Sequence, residues 1–398
     1  MAEDLLEINK EDKENKPQDY FGKSCTLHAQ HKGKLEIKSK FPLECKDDLC
    51  VAYTPGVSEP CKEIFKNPED VYKYTIKGNS VAVVTDGSAV LGLGNIGPEA
   101  ALPVMEGKCL LFKKFADIDA YPICIASQDV EDIIKTVKMI APGFGGINLE
   151  DISAPRCFEV EERLKQELDI PVFHDDQHGT AIVALAALIN ALKVTGKNKE
   201  EIKVVINGAG AASIAVCKIF LKWGIKNIIL VDSKGTIYEG RDNLNSTKEE
   251  MTKVTNLDKI QGQLEDAIKG TDVFVGCSIA GVLKQDMVRS MNKNPIIFAL
   301  ANPVPEIMPD LAKEAGAAIV ATGRSDFENQ INNVLAFPGI FRGALDMRAK
   351  HITEEMKLSA AKALASAVED PTPNKIIPSV FDKGIADKIA SSIKECNN

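Results

Sequence analysis

The chain has 398 residues, of which 44% are hydrophobic and 26% are charged, and its net charge at pH 7 is −9. This composition is typical of a folded globular protein with room for two domains. The negative charge disfavours nucleic acid and anionic membranes as partners, and no apolar run reaches the ~20 residues of a membrane helix. An anionic ligand must therefore be held by local hydrogen-bond donors or by a metal.

The first twenty residues are acidic and lack an apolar segment, so they predict a partly disordered leader rather than a signal or transit peptide. Ten cysteines are scattered from Cys25 to Cys396 without regular spacing, which favours reduced thiols and a cytoplasmic location. Cys25, His28 and His31 have the spacing of half a zinc site, but no second half follows. We interpret these three residues as part of a surface loop.

Short apolar runs and helical periodicities predict the secondary structure. In the first half we expect strands at 81–84, 121–126 and 146–149 and helices at 130–140 and 156–168. From Pro171 onward strands at 203–207, 227–231, 272–276, 296–300 and 318–321 alternate with helices, which favours a doubly wound parallel sheet. The predicted fold class is α/β, with an N-terminal catalytic domain at 1–168 and a Rossmann-type domain at 169–398. The helical residues after Pro338 are expected to pack back over the body.

Two glycine-rich turns compete for the role of dinucleotide fingerprint. Residues 92–97 match G-x-G-x-x-G literally, whereas residues 208–213 match it with serine in the third place. Only the second turn follows a strand directly, opens a helix and precedes a strand-terminal acid, Asp232, by about twenty residues. We therefore expect the cofactor to contact Gly208, Ala209, Gly210, Ala211, Ala212 and Ser213. The loop at Gly92 is either a backbone turn or a wall of the substrate pocket.

The choice between NAD and NADP depends on the residues around Asp232. The carboxylate alone favours NAD, because it accepts a hydrogen bond from a free ribose 2′-hydroxyl. However, Ser233 and Lys234 follow directly and Lys248 lies further along, so donors for a 2′-phosphate are present. On balance these residues favour NADP over NAD.

Two acidic pairs, Glu150-Asp151 and Asp175-Asp176, each follow an apolar strand. Ligands of open α/β sheets gather at the carboxyl ends of strands, so we expect both pairs in one crevice. Three carboxylates there suit Mg²⁺ or Mn²⁺, and the alternative is two unrelated helix N-caps. His174 and His178 have the i, i+4 spacing of a zinc protease, but the required glutamate is missing and the helix is expected to begin only near Gly179.

Seven motifs between Tyr53 and Asp346 resemble the malic enzymes, specifically their short form. In chain order they are YTPG at Tyr53, VLGLGNIGPEAALPVMEGK ending at Lys108, INLEDISAP, FHDDQHGTA, VVINGAGAAS, LANPVPE and INNVLAFPGIFRGAL. The resemblance implies oxidative decarboxylation of (S)-malate to pyruvate and CO₂, with NAD(P)⁺ and Mg²⁺ or Mn²⁺. It also implies a homodimer, and an isologous pair is the commonest assembly of soluble proteins.

The resemblance implies a role for each matched residue. The implied metal ligands are Glu150, Asp151 and Asp176, and Asp175 is an implied catalytic residue beside them. Lys108 is the implied base that takes the hydroxyl proton, and Tyr53 is the implied acid that protonates the enolate. Asn302 and Asn333 are the implied contacts to substrate oxygens, and Asn302 is also expected to contact the cofactor. A lysine acts as a base only if burial and neighbouring cations lower its pKa from about 10.4. We therefore expect such surroundings for Lys108.

One position departs from the longer members of the family. Ala89 stands where those enzymes carry an arginine that grips the substrate carboxylate. Backbone donors of the Gly92 loop, the two asparagines or a residue of a partner subunit are the alternatives for this contact.

Two further functions stay open at this point. A malolactic enzyme shares the scaffold and converts malate to lactate without net redox change. A non-catalytic dinucleotide-binding module would share only the fold, and the intact Tyr53, Lys108 and acidic pairs disfavour it, because a binding module does not need them.

Overall fold

The computed structural model describes residues 20–90 and 93–397. The leader predicted at residues 1–20 lies outside these residues except for Tyr20, and so does the glycine at position 92. Residues 20–38 belong to one compact unit, which contains helix α1 (Tyr20–His31). Cys25, His28 and His31 all lie on this helix, so the prediction of a loop was wrong. Their three-residue spacing is close to one helical turn, and His28 Nδ1 hydrogen-bonds to the carbonyl oxygen of Ser24 at 2.7 Å.

The second unit begins at Ser39 and contains two sheets. The first sheet has the order β2-β1-β3-β4 and is parallel throughout. Its strands are β1 (Ser80–Thr85), β2 (Asp119–Cys124), β3 (Gly146–Leu149) and β4 (Val172–His174), and the helices of this part are α2 (Lys46–Ala52), α3 (Ser58–Lys66), α4 (Val71–Tyr74), α5 (Pro98–Ala116), α6 (Val130–Ile140) and α7 (Arg156–Glu167). Strand β4 lies after residue 168, where the sequence analysis places the boundary between the two domains, yet it pairs with β3 of the first sheet. The domain limits stay a prediction.

The second sheet has the order β10-β9-β8-β5-β6-β7, and only β7 is antiparallel. Its strands are β5 (Lys203–Asn207), β6 (Asn227–Asp232), β7 (Gly235–Thr236), β8 (Val273–Gly276), β9 (Ile296–Ala299) and β10 (Ile319–Thr322), and its helices are α8 (Asp175–Thr195), α9 (Ala211–Trp223), α10 (Ser246–Thr252), α11 (Leu264–Ala267), α12 (Gln285–Arg289) and α13 (Pro309–Glu314). Because β5 lies between β6 and β8, the winding reverses beside β5, as in Rossmann-type sheets. The predicted α/β class with a Rossmann-type sheet is confirmed.

Helix α8 joins the two sheets, and it begins at Asp175 rather than near Gly179 as predicted. Asp175 and Asp176 form its first turn, where negative side chains interact favourably with the helix dipole. The helix is long and apolar enough to cross a membrane by length and composition alone, although the sequence predicted no such segment. Most of its side chains are buried within the protein, which identifies it as a core helix.

Three C-terminal helices complete the fold: α14 (Phe337–Asp346), α15 (Glu354–Ala365) and α16 (Ile385–Lys394). Two aromatic rings of α14 pack edge-on against Phe112 of α5, with centroid distances of 4.7 Å for Phe337 and 5.3 Å for Phe341. Asn190 of α8 donates from its buried side-chain amide to the carbonyl oxygens of Ala365 and Ile376. The prediction that the C-terminal helices pack back over the body is confirmed.

Candidate active site

The site lies where the winding of the first sheet reverses, between β1 and β3. The loop after β1 and the loop after β3 are joined by hydrogen bonds: the backbone NH of Ala89 donates to the carbonyl oxygen of Asp151 at 3.0 Å, and the backbone NH of Ser153 donates to Ser88 Oγ at 2.9 Å. Open α/β sheets bind ligands at this kind of position. The acidic pairs that follow β3 and β4 are brought to the same place.

Glu150, Asp151 and Asp176 form a cluster in which one carboxylate oxygen of each lies within 4.8 Å of the others. Asp176 Oδ2 accepts a hydrogen bond from the backbone NH of Asp151 at 2.8 Å, and Glu150 accepts one from Asn148 at the same distance. Asp151 has a positive φ of 53°, an uncommon conformation for a residue other than glycine that is enriched at functional sites. Its Oδ2 atom is buried without a hydrogen-bond partner in the described chain.

The electrostatics of this cluster favour a cation. Burial and the neighbouring carboxylates raise the pKa of Asp151 to about 9, and burial also raises the pKa of Glu150 and of Asp176. Three close carboxylates thus resist ionisation unless a positive charge joins them. An all-oxygen donor set with an unpartnered carboxylate oxygen fits Mg²⁺ or Mn²⁺.

Lys108 projects from α5 and is buried beside this cluster. Its Nζ atom lies 2.6 Å from Asp175 Oδ2 and 2.8 Å from Glu150 Oε1, and 4.4 Å from the ring centroid of Phe337. Burial alone would lower the pKa of Lys108, but the facing carboxylates of Asp175 and Glu150 outweigh it and raise the pKa above its ordinary value. The expectation of neighbouring cations was therefore wrong for the described residues, because the groups around the ammonium are acids.

Asp175 is fully buried, and its carboxylate fills the space that a side chain at Gly179 would need. A Cβ atom at Gly179 would also lie 2.9 Å from Cβ of Asn333. The glycine of the HDDQHG motif therefore allows the predicted substrate contact Asn333 to approach Asp175. These two predicted site residues are brought together with Lys108.

Tyr53 is different from the other predicted catalytic residues. It ends helix α2, its side chain is 67% exposed, and within the described residues no hydrogen bond joins its hydroxyl to Lys108. The structure of a single chain does not bring the tyrosine to the buried base.

The glycine turn at 208–213 has the geometry of a phosphate-binding turn. Gly208 has a φ of 111°, and a Cβ atom there would lie 2.6 Å from the carbonyl oxygen of Cys277 after β8 and 2.9 Å from Ser213 Oγ. Gly210 caps α9 without a side chain, and the space in front of it is open, so backbone NH groups of Ala211 and Ala212 can face an anion. This geometry is compatible with a pyrophosphate contact at residues 208–213, and the contact stays a prediction.

Asn302 lies in the loop after β9, and β9 is separated from β5, the strand before the glycine turn, by β8. Its side-chain Nδ2 atom would lie 2.8 Å from a Cβ atom at Gly323, so the absence of a side chain there makes room for the amide. The loops after β8 and β9 are held together by buried Glu306, which accepts hydrogen bonds from the backbone NH groups of Ser278 and Ala301.

The residues around Asp232 differ in part from those singled out in the sequence. The Asp232 carboxylate accepts hydrogen bonds from Arg241 at 2.6 Å and from Lys248 at 2.7 Å, whereas Ser233 and Lys234 are exposed. Burial alone would raise the pKa of Asp232, but these hydrogen bonds lower it to about 2. Arg241 was missed because nothing in the local pattern distinguishes it from other loop arginines.

Comparisons with known proteins decide the family. The model of the malic enzyme N-terminal domain matches residues 32–129 and 126–165, and that of the malic enzyme NAD-binding domain matches residues 177–396. The chain belongs to the malic enzyme family. This confirms the resemblance seen in the sequence motifs.

Three relatives illustrate which coenzymes are used by proteins similar to this chain. The bifunctional malic/malolactic enzyme of Bacillus subtilis is 60% identical over 370 residues, covering 92% of this chain and 90% of the relative. The NADP-dependent malic enzyme of Escherichia coli is 50% identical, covering 91% of this chain and 50% of the relative. The crystal structure of the NAD-dependent malic enzyme of Thermotoga maritima superposes with a TM-score of 0.91 at 51% identity, covering 93% and 98% of the two chains. Both coenzymes thus occur among similar proteins.

We expect Mn²⁺ to raise the thermal unfolding temperature of the protein and Asp151→Asn to abolish this increase. Asparagine adopts the left-handed backbone readily, so the substitution removes the charge without new strain. At a Mn²⁺ concentration of about 100 times Kd, the wild type should gain about 2.7 kcal/mol. Without Mn²⁺ the variant should be at least as stable as the wild type, because asparagine avoids the cost of protonating the Asp151 carboxylate, or of burying its charge, when the chain folds. Differential scanning calorimetry measures both effects.

The exposed carboxylate of Asp258 provides the control for this experiment. Asp258→Asn should respond to Mn²⁺ like the wild type. An undiminished Mn²⁺ effect in Asp151→Asn would contradict the assignment of the cluster.

Proposed function

We propose that this chain is a malic enzyme that oxidises and decarboxylates (S)-malate to pyruvate and CO₂, with NAD(P)⁺ and Mg²⁺ or Mn²⁺. The observation that supports this most directly is the buried ammonium of Lys108 between Asp175 and Glu150, at the edge of the three-carboxylate cluster. A proton-transfer group and a cation site thus lie within the span of one small hydroxy acid.

Each residue has a defined task in the proposed reaction. When bound, the metal would polarise the C2 oxygen of malate and the coenzyme would accept the hydride. Lys108 would first pass a proton to Asp175 Oδ2, which lies 2.6 Å from its Nζ atom, and the neutral amine would then take the proton of the C2 hydroxyl. Asn302 and Asn333 would hold substrate oxygens, and Tyr53 would donate a proton after CO₂ leaves.

We expect Lys108→Ala to lower kcat for malate oxidation by about 10² to 10⁴, the usual contribution of a general base. The measurement is the formation of NADPH or NADH at 340 nm with (S)-malate and MnCl₂, compared with EDTA. Lys114→Ala, an exposed lysine on the same helix, is the control and should keep the wild-type rate. A Lys108→Ala enzyme with the wild-type kcat would refute the assignment of the base.

A second candidate is the malolactic reaction, because the relative at 60% identity is named a bifunctional malic/malolactic enzyme. The same assay separates the two products. Lactate formed from malate without accumulation of reduced coenzyme would indicate the malolactic reaction, and pyruvate formed with equimolar reduced coenzyme would indicate the malic enzyme reaction.

For the coenzyme we propose NADP⁺. Two cations, Arg241 and Lys248, converge on one carboxylate at the end of β6, so the local charge is positive. A positive site of this kind suits the 2′-phosphate of NADP⁺. The nearby exposed Ser233 and Lys234 add further donors on the solvent side.

We expect Lys248→Gln to raise the KM for NADP⁺ by about 10- to 100-fold, because a charge-assisted hydrogen bond contributes about 1.5–3 kcal/mol. The KM for NAD⁺ should stay nearly unchanged, since NAD⁺ lacks the phosphate. Lys253→Gln, an exposed lysine shortly after Lys248, serves as the control. Equal effects on both coenzymes would argue against a phosphate contact.

We further propose that the protein is a homodimer formed through α2 and α3. These two helices bury no residue within one chain. Their exposed apolar side chains include Leu49, Val51 and Phe65, the last 90% exposed, and Tyr53 lies at the end of α2. A second copy is the partner that we infer, since isologous pairs are the commonest assemblies. Packing of this kind would also remove Tyr53 from solvent.

We expect Phe65→Ser to weaken this association and to yield monomers in sedimentation velocity experiments. The reason is the loss of a large apolar side chain from the centre of the proposed interface. Phe381→Ser is the matched control. Phe381 is similarly exposed, at 82%, but it lies near α16 and outside the proposed interface. Wild-type protein that sediments as a monomer would overturn the proposal.

For the location of the protein we propose the cytoplasm. All ten cysteines are free thiols in the described chain, which supports a reducing compartment.

A further inference from the structure

Glu161 is a buried acid on α7 that the reaction described above does not use. Its carboxylate accepts hydrogen bonds or ion pairs from four donors, three of which belong to the junction of β4 and α8. They are the backbone NH of His174 at 3.2 Å, Gln177 Nε2 at 3.1 Å and His178 Nε2 at 2.8 Å. The fourth donor is Lys165, one turn further along α7, at 2.7 Å.

These contacts join the two halves of the metal cluster. Helix α7 follows Glu150 and Asp151 in the chain, whereas the first turn of α8 carries Asp175 and Asp176. The Glu161 carboxylate therefore links α7, which follows the first acidic pair in the chain, to the start of α8, which carries the second pair.

The direction of the hydrogen bonds in this link is determined by Lys357 of α15. Its ammonium lies 3.2 Å from His178 Nδ1 and also pairs with Glu354. An ammonium donates and cannot accept, so Nδ1 must accept and the ring proton must reside on Nε2, facing Glu161. A C-terminal helix thus selects the tautomer of a histidine in the HDDQH motif.

We propose that Glu161 is a positioning residue that sets the separation of the Glu150-Asp151 pair from Asp176, with Lys357 fixing the required hydrogen-bond direction through His178. The inference rests on the proposed metal site. It assigns a function to buried polar groups that touch neither substrate nor metal, and it connects α15 to the metal cluster.

The test is the Mn²⁺ affinity of Glu161→Gln, measured from the electron paramagnetic resonance signal of free Mn²⁺. Because both carboxylate oxygens lie within 3.0 Å of His178 Nε2, a glutamine amide in either orientation would place its NH₂ group against the Nε2–H and weaken the link. We expect Kd for Mn²⁺ to rise by about 10- to 100-fold, the usual effect of removing a group that orients metal ligands. Glu162→Gln, the adjacent exposed glutamate, makes the same charge change and should leave Kd unaltered.

A compensating substitution distinguishes positioning from a general structural role. In Glu161→Gln with Lys357→Gln, the new amide at 357 can accept from Nδ1–H, so His178 can take the other tautomer and accept from the amide at 161. We expect the double variant to regain most of the Mn²⁺ affinity, and Lys357→Gln alone to keep it. A double variant no better than Glu161→Gln would overturn the proposal.

The tautomer of His178 can also be measured in the wild-type protein itself, with Lys357→Gln needed only to identify the signal. Nitrogen chemical shifts of ¹⁵N-labelled histidine report the tautomer of His178, whose signal is identified by its change in Lys357→Gln. A proton on Nε2 is expected, and a proton on Nδ1 would overturn the proposal. Wild-type protein that does not bind Mn²⁺ would instead refute the proposed metal site, and normal Mn²⁺ binding by Glu161→Gln would refute only the role of Glu161.

Discussion

The repulsion among buried carboxylates at the ends of β3 and β4 is the constraint on which the site depends. Removing an ion from water costs several kcal/mol unless it is paired. Lys108 neutralises part of this charge through ion pairs with Asp175 and Glu150, but Asp151 and Asp176 form no ion pair with a lysine or arginine of the described chain. The fold therefore holds together groups that would separate if they were free to move. Binding of a divalent cation would offset the repulsion and add to the stability of the folded state.

Helix α8 transmits this constraint to the rest of the molecule. Its first turn carries two of the acids, and its apolar body packs against α9, whose amino end lies at the coenzyme turn. Because protein interiors are close-packed, a helix buried on nearly all sides cannot shift without disturbing its neighbours. The distance between the metal cluster and the coenzyme turn is thus set by core packing. The C-terminal helices contribute to this packing, as the buried amide of Asn190 shows.

Local sequence signals predicted most of the strands, the glycine turn and the acidic cluster, because each depends on residues close together in the chain. Features that depend on distant contacts were missed or misplaced. The start of α8 was misplaced because its first turn is polar and is stabilised by contacts to α5 and α7 rather than by an apolar stripe. A signal for Glu161 was present, since it lies at helical spacing between the buried residues Cys157 and Leu164. A lone acid on an apolar face is informative only when its partners are known.

The surroundings of Asp232 show why a motif alone does not determine the coenzyme. In the usual interpretation a strand-terminal acid accepts a hydrogen bond from the ribose 2′-hydroxyl, which favours NAD. Here one carboxylate oxygen accepts from Arg241 and Lys248, and the other from the backbone NH of Lys234. A carboxylate with both oxygens engaged orients the two cations rather than the ribose. The proposal of NADP⁺ therefore rests on the net local charge and not on the presence of the acid.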